Sequence, residues 1–135
     1  MSTPSAALSP RAKTYGVEPE AFNDTQRSFA AGERLANPPG AKSICDALLA
    51  DKPGELTFAV SKLRLAGVLA VSDDEVLAAM AAAFRHLKLV VEPGGAVALA
   101  ALLSKKLDVA GKTVAVVLSG GNVDAEMFAR ALALK

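Results

Sequence analysis

Residues 114–124, VAVVLSGGNVD, are a short apolar run that ends abruptly in Ser119-Gly120-Gly121-Asn122. A continuous run of this kind is typical of a strand that is buried on both faces of a parallel sheet. In open α/β sheets, ligands bind just beyond the carboxyl ends of such strands. Ser119 offers a hydroxyl at that point, and the two glycines let the backbone approach a flat ligand. The stretch therefore predicts a parallel α/β fold with a ligand site at the end of this strand.

Strands and helices alternate along the rest of the chain. The strands are predicted at 13–18, 68–71, 89–91 and 114–118, and the helices at 24–31, 55–65, 73–87, 96–103 and from an Asp124 cap to about 134. The helix over 73–87 has the strongest signal, because Ser72 and Glu75 form the sequence pattern of a capping box. Strands separated by helices predict right-handed crossovers. We therefore expect a parallel sheet of about four strands with flanking helices.

Composition excludes several classes of protein. The chain has 135 residues, a net charge of +1 and only 4% aromatic residues, a balance that argues against nucleic-acid binding. No apolar run approaches the length of a membrane span, and no signal peptide is recognisable. The single cysteine, Cys45, is expected to be a small core residue and fits a cytoplasmic location. Residues 1–10 are expected to be a flexible tail and residues 11–135 one domain.

Polar or glycine residues follow three of the predicted strands. They are Glu18-Pro19, Glu92-Pro93-Gly94-Gly95 and Ser119-Gly120-Gly121-Asn122. The carboxyl ends of parallel strands share one edge of the sheet, so these residues predict a ligand pocket there. The same residue types are common in ordinary βα turns, and this alternative stays open.

Other charged residues have two interpretations. Glu18 and Asp24 flank a turn, and carboxylate oxygens spread over such a turn could hold Mg²⁺ or Ca²⁺. Asp73, Asp74 and Glu75 form an acidic helix start, where the helix dipole favours negative charge, and a metal site is the alternative. His86 is interpreted as a cation near the other end of that helix, and a catalytic role is the alternative.

Taken together, these segments resemble the threonine/serine dehydratase family of pyridoxal-phosphate enzymes, which includes serine racemase. The matching segments run in family order, and they are YGVEPE at 15–20, SICDAL at 43–48, PGELTF at 53–58, VSDDEV at 71–76, LKLVVEPGGA at 87–96 and VLSGGNVD at 117–124. The resemblance implies the C-terminal half of the family fold, that is, part of the large domain of a fold-type-II pyridoxal-phosphate enzyme.

The family also carries a Schiff-base lysine in a Ser-Phe-Lys-like context and a Ser-Gly-Gly-Gly loop that binds the cofactor phosphate. Neither occurs in this sequence. The resemblance therefore implies part of an enzyme that deaminates L-threonine or L-serine to a 2-oxo acid and ammonia, with no activity and no catalytic residue of its own. Two alternatives stay open: a subunit of a split enzyme, and a non-catalytic binding or interaction module. We expect a homo-oligomer or a complex with a complementary N-terminal half, because a half-domain exposes apolar surface.

The resemblance also implies roles for individual residues. Ser119 matches the serine that meets the pyridine nitrogen of pyridoxal 5'-phosphate, and Glu92 matches an acidic residue near the ring. The remaining cofactor-binding positions are Gly120, Gly121, Asn122, Asp46 and Ala47. The implied Mg²⁺ or Ca²⁺ site consists of Glu18, the carbonyl of Phe22, and Asp24.

Two positions depart from the family pattern. Ala47 stands where glycine is frequent, and Gly94 stands where serine or threonine is frequent. The added methyl group of Ala47 is expected to crowd the cofactor.

Overall fold

The computed structural model describes residues 9–134. Its sheet consists of β1 (Tyr15–Pro19) and β2 (Gly67–Val71), which pair in parallel from Tyr15 opposite Gly67 to Pro19 opposite Val71. The crossover between the two strands contains α1 (Asp24–Ala31) and α2 (Glu55–Arg64). The predicted α/β class with a parallel sheet and flanking helices is confirmed.

Local sequence signals determine several of the helix ends. α1 ends at Gly32, which adopts φ 77° and donates its N–H to the carbonyl of Ser28 at 2.9 Å. α3 (Asp73–Ala82) begins with the predicted capping box: Ser72 Oγ accepts the N–H of Glu75 at 3.2 Å, and the Glu75 carboxylate accepts the N–H of Ser72 at 2.8 Å. α3 continues as a π-helical turn at Ala83–Leu87, so the predicted end of this helical segment is also confirmed.

The next helix, α4 (Pro93–Leu103), begins three residues before its predicted start. Proline favours the first position of a helix because its φ angle already suits the helix and its missing N–H has no partner to lose there. Gly94 and Gly95 therefore lie in the first turn of α4 rather than in a loop. The last helix, α5 (Ala125–Leu132), is capped by Asp124, whose Oδ1 accepts the N–H of Met127 at 2.7 Å.

The core lies where α3 packs against α4 and α5, with α4 also lying against the sheet. α4 carries no charged residue, as expected for a helix that is buried around much of its circumference. The largest fully buried apolar side chains include Leu77 and Met80 of α3 and Val71 of β2. Cys45, in the loop between α1 and α2, is also fully buried, as the sequence predicts.

The expected number of about four strands is wrong for residues 9–134, whose sheet has two. The apolar runs 89–91 and 114–118 lie outside regular secondary structure. They approach each other at their carboxyl ends, where the N–H of Glu92 donates to the carbonyl of Gly120 at 3.0 Å. A strand needs a continuous ladder of hydrogen bonds to a neighbour, and one bond does not make a ladder. Leu89, Val90 and Val117 remain 46%, 50% and 46% exposed.

The expected N-terminal tail, residues 1–10, lies outside the described residues except for Ser9 and Pro10. Ser9 accepts a turn hydrogen bond from the N–H of Ala12 at 2.9 Å. Between residues 9 and 134, every helix is too short or too polar to cross a membrane.

Candidate functional site

The loop that follows the 114–118 run is fastened to the start of α4 by Glu92. The N–H of Glu92 donates to the carbonyl of Gly120 at 3.0 Å, and its Oε2 accepts the N–H of Asn122 at 2.9 Å. Ser119 lies at the beginning of this loop and is exposed. The structure therefore brings Glu92 together with Gly120 and Asn122, and it leaves the Ser119 hydroxyl open to solvent.

Close packing explains the two glycines of this loop and Gly95 of α4. A Cβ atom on Gly120 would lie 2.7 Å from the carboxyl carbon of Glu92, and one on Gly121 would lie 2.8 Å from the carbonyl oxygen of Val90. A Cβ atom on Gly95 would lie 2.8 Å from the carbonyl oxygen of Gly120. Real Cβ contacts are longer than these distances, so each position requires glycine unless its surroundings move.

A 3₁₀ turn at Asp46–Leu48 packs on the same end of α4. A Cβ atom on Gly94 would lie 3.3 Å from the Cβ of Ala47 and 3.5 Å from Cγ of Leu48. Asp46 is exposed, and its Oδ1 accepts the N–H of Ala47 at 2.8 Å. The two departures from the family pattern, Ala47 and Gly94, are thus in contact with each other.

The predicted cation ligands lie at the end of β1 and the start of α1. Oε1 of Glu18 accepts the N–H of Gln26 at 2.7 Å, and Oδ1 of the buried Asp24 accepts from Nδ2 of Asn37 at 2.9 Å. Burial raises the pKa of Glu18, and the nearby Asp24 carboxylate adds to this effect, whereas the hydrogen bond from Gln26 opposes it.

Phe22, which is buried, lies in the 3₁₀ turn Glu20–Phe22 between these carboxylates. Within residues 9–134, no three His, Cys, Asp or Glu side chains cluster closely enough to hold a metal ion. The predicted site has only two carboxylates and one carbonyl, so the cation site stays a prediction. A cleft of about 340 Å³ has Glu18 and Asp24 as well as Ala47 in its lining and runs beside the Asp46–Leu48 turn.

Asp73 has a role that the sequence does not predict. Its Oδ1 accepts the hydroxyl of Ser43 at 2.7 Å, and its Oδ2 accepts the N–H of Ile44 at 3.2 Å. The partners are separated by about 30 residues, and no local pattern indicates such a contact. His86 is exposed in the last turn of the π-helical segment.

Comparison with known proteins places this parallel α/β domain in a family. Residues 1–120 match the family described as pyridoxal-phosphate dependent enzyme. The chain is 42% identical to the L-threo-3-hydroxyaspartate ammonia-lyase of Saccharomyces cerevisiae over 124 residues, which are 91% of this chain and 37% of the relative. It is 36% identical to the serine racemase of Schizosaccharomyces pombe, with 93% of this chain and 38% of the relative covered.

A solved structure gives the same result. The threonine deaminase of T.th. superposes with a TM-score of 0.83 and 39% identity, over 91% of this chain and 44% of that one. The chain therefore belongs to the fold-type-II pyridoxal-phosphate-dependent enzyme family, which has ammonia-lyase and racemase members. It spans less than half the length of these relatives.

The site's donor groups fit the ring end of pyridoxal phosphate. Ser119 provides one neutral, solvent-accessible hydroxyl, which suits a pyridine nitrogen. The glycine loop behind it is held by Glu92, so the hydroxyl projects from a fixed backbone rather than from a free loop. Asp46 and Ala47 are exposed in the Asp46–Leu48 turn, which packs beside the start of α4.

Proposed function

We propose that this chain provides the part of the cofactor site that faces the pyridine nitrogen in a pyridoxal-phosphate-dependent ammonia-lyase. The enzyme would act on a 3-hydroxy amino acid such as L-threonine or L-serine. One observation carries the proposal: Glu92 fastens the Ser119–Asn122 loop to the start of α4, beside the Asp46–Leu48 turn. The names of the similar proteins, a hydroxyaspartate ammonia-lyase and a threonine deaminase among them, support this choice of substrate class.

Bound pyridoxal phosphate supplies an electron-accepting ring that stabilises negative charge on the α-carbon of an amino acid. The role of Ser119 is to accept or donate one hydrogen bond at the ring nitrogen. Because a serine hydroxyl is neutral, it leaves that nitrogen largely unprotonated and limits the electron demand of the ring. A weaker electron acceptor suits β-elimination, in which the leaving hydroxide takes an electron pair with it.

Under this proposal, the whole reaction also requires residues from the part of the family fold that this chain does not cover. A lysine that attaches the cofactor and a backbone cradle for its phosphate are general needs of this chemistry. None of the nine lysines in the sequence lies in the family's lysine context. The proposed role of this chain's residues is therefore to bind and position the cofactor, not to break bonds.

The experiment that tests this proposal is a titration of the purified chain with pyridoxal phosphate, followed by absorbance. Ser119→Ala removes the hydroxyl, and Ser9→Ala changes an exposed serine of the N-terminal turn as a matched control. Saturable binding that is weakened by Ser119→Ala alone supports the proposal. Non-saturable binding that is equal in all three proteins contradicts it, because it reports only surface lysines.

A second function, as one subunit of a larger assembly, is favoured by the exposed apolar runs 89–91 and 114–118. Val90 is 50% exposed and Val117 46%, and unpaired edges of this kind promote association. We propose that the chain associates either with itself or with a polypeptide that carries the complementary half of the family fold. Size-exclusion chromatography with light scattering tests self-association, and a monomer at high protein concentration would exclude it.

A further inference from the structure

The loop that carries Asp46 and Ala47 is fastened to the rest of the molecule by side chains. It connects α1 to α2 and contains only one short helical turn, Asp46–Leu48. Near its start, Nδ2 of Asn37 donates to Asp24 at 2.9 Å. At its end, Arg34 pairs with Glu55 at 2.6 Å. Asn37 also holds the segment after the turn, because its Nδ2 donates to the carbonyl of Ala50 at 2.9 Å and its N–H donates to the carbonyl of Asp51 at 2.7 Å. None of these contacts holds the residues that precede the turn.

The middle of the loop is held by Asp73, the first residue of α3. One carboxylate oxygen accepts the hydroxyl of Ser43 at 2.7 Å, and the other accepts the N–H of Ile44 at 3.2 Å. Ser43 Oγ in turn accepts the N–H of Cys45 at 3.1 Å. The Asp73 carboxylate therefore fixes three consecutive residues immediately before Asp46.

The support behind Asp73 is rigid. Its backbone lies between Ser72, which forms the capping box with Glu75, and the first full turn of α3. Hydrogen bonds to an ionised carboxylate are short and about twice as strong as those between neutral groups. The side chain of Asp73 consequently connects a long loop to a helix start that its own capping box already fixes.

We propose that Asp73 is a positioning residue that latches the Asp46–Leu48 turn against the start of α4. The tolerance at that contact is small, because the Cβ of Ala47 lies 3.3 Å from where a side chain on Gly94 would begin. The effect of Asp73 on the cofactor site rests on the proposed function, whereas its hold on the Asp46–Leu48 turn does not.

Cys45 gives the latch a direct readout. It is the single cysteine of the chain, it is fully buried, and it is the last of the three residues that Asp73 holds. A thiol reagent reaches it only when this segment opens. Local openings of this kind differ from global unfolding in their weaker dependence on denaturant.

The experiment compares Asp73→Asn with Asp74→Asn in the complete chain, using an aromatic disulfide reagent at several low urea concentrations. Asp74 is exposed and adjacent, so its variant makes the same charge change at the same helix start. Loss of charge-assisted hydrogen bonds predicts labelling of Cys45 that is about tenfold faster in Asp73→Asn, with a shallow urea dependence. Asp74→Asn should stay within about twofold of wild type. Equal rates in the two variants, or a urea dependence as steep as that of global unfolding, would overturn the latch.

Two further measurements separate positioning from simple stability. Ser43→Ala should increase labelling as Asp73→Asn does, whereas Ser43→Thr, which retains the hydroxyl, should restore most of the protection. In the pyridoxal phosphate titration, Asp73→Asn should weaken binding about tenfold and Asp74→Asn should not. Unchanged cofactor affinity in an unlatched Asp73→Asn chain would overturn the positioning role. If the wild-type chain does not bind the cofactor, the proposed function fails, and the thiol rates still decide the latch.

Discussion

Oε2 of Glu92 accepts the N–H of Asn122 at 2.9 Å, so a side chain at the start of α4 holds the backbone of a loop 30 residues away in sequence. The same residue also donates its own N–H to Gly120. Two hydrogen bonds to one short loop give it a fixed position relative to α4. Because Ser119 directly precedes the segment that Glu92 holds, the position of Ser119 also depends on Glu92.

Gly120→Ala should destabilise the chain, because the new Cβ would lie 2.7 Å from the carboxyl carbon of Glu92 and would push that side chain from Asn122. Because the clash is with the flexible end of the Glu92 side chain, the cost is mainly that of its lost hydrogen bond with Asn122, about 1 kcal/mol of unfolding free energy. Gly16→Ala is the control, since its Cβ would make an ordinary contact of 3.5 Å with Leu65. Urea unfolding of the two variants measures the difference in unfolding free energy. Equal stabilities would show that the contact between Glu92 and this loop tolerates a methyl group on Gly120.

The contact between Ala47 and Gly94 predicts energetic coupling of the two positions. A side chain on Gly94 must begin 3.3 Å from the Cβ of Ala47, so Gly94→Ser should cost more stability in wild type than in the Ala47→Gly background. The coupling energy expected for residues in direct contact is about 0.5–2 kcal/mol. A double-mutant cycle by urea unfolding measures it.

Additive effects in that cycle would mean that the two departures from the family pattern are independent. A coupled pair would instead explain why both occur in one chain: the methyl group of Ala47 occupies the space beside Gly94 that a serine or threonine side chain would need. The expected crowding of the cofactor by Ala47 would then be smaller than the residue alone suggests.

The predictable parts of this fold are those with local causes. Gly32 ends α1 because glycine tolerates a positive φ, and Ser72 with Glu75 begins α3 through bonds that span three residues. The start of α4 had a local cause as well, Pro93, but the neighbouring glycines favoured a loop and hid it. The apolar runs at 89–91 and 114–118 have strand composition, yet a strand also needs a paired neighbour, and composition does not supply one.

Most of the candidate site depends on contacts that no local pattern encodes. The sequence pattern placed Glu92 and Ser119 at one edge of a sheet, but the runs that precede them lie outside the two-stranded sheet. What the structure shows is a contact between Glu92 and the loop after Ser119. The hydrogen bond from Ser43 to Asp73 joins residues about 30 positions apart. An aspartate at a helix start already has a sufficient local explanation in the helix dipole, and for this reason its second role was not predicted.

Glu18→Gln should stabilise the metal-free chain near neutral pH. Burial and the adjacent Asp24 raise the pKa of Glu18, so its ionisation opposes folding, whereas glutamine keeps an oxygen for the N–H of Gln26. The contribution of a carboxyl with a raised pKa is fully present below its unfolded value of 4.5 and is lost as the pH rises. The gain from Glu18→Gln should therefore be larger at pH 7 than at pH 4.

Unfolding in the presence of a chelator measures this gain, with the exposed Glu33→Gln as the control. Addition of Mg²⁺ or Ca²⁺ then tests the predicted cation site. A cation held by Glu18, Phe22 and Asp24 should raise the melting temperature of wild type and leave that of Glu18→Gln unchanged. The same rise in both proteins would place any bound cation elsewhere.

Cys45 predicts a loss of stability at alkaline pH. Burial raises the pKa of its thiol from 9.0 to about 11, with smaller contributions from Asp73 and Asp46, while the hydrogen bond with Ser43 opposes the shift. Between these two values the unfolded chain releases a proton that the folded chain retains, so the unfolding free energy falls as the pH rises.

This loss of unfolding free energy reaches about 2–3 kcal/mol by pH 11. Cys45→Ala removes this titration and changes no other titratable group, so its unfolding free energy should fall less steeply between about pH 8 and about pH 11. Parallel pH profiles for the two proteins would show that the thiol is ionised as readily in the folded chain as in the unfolded one.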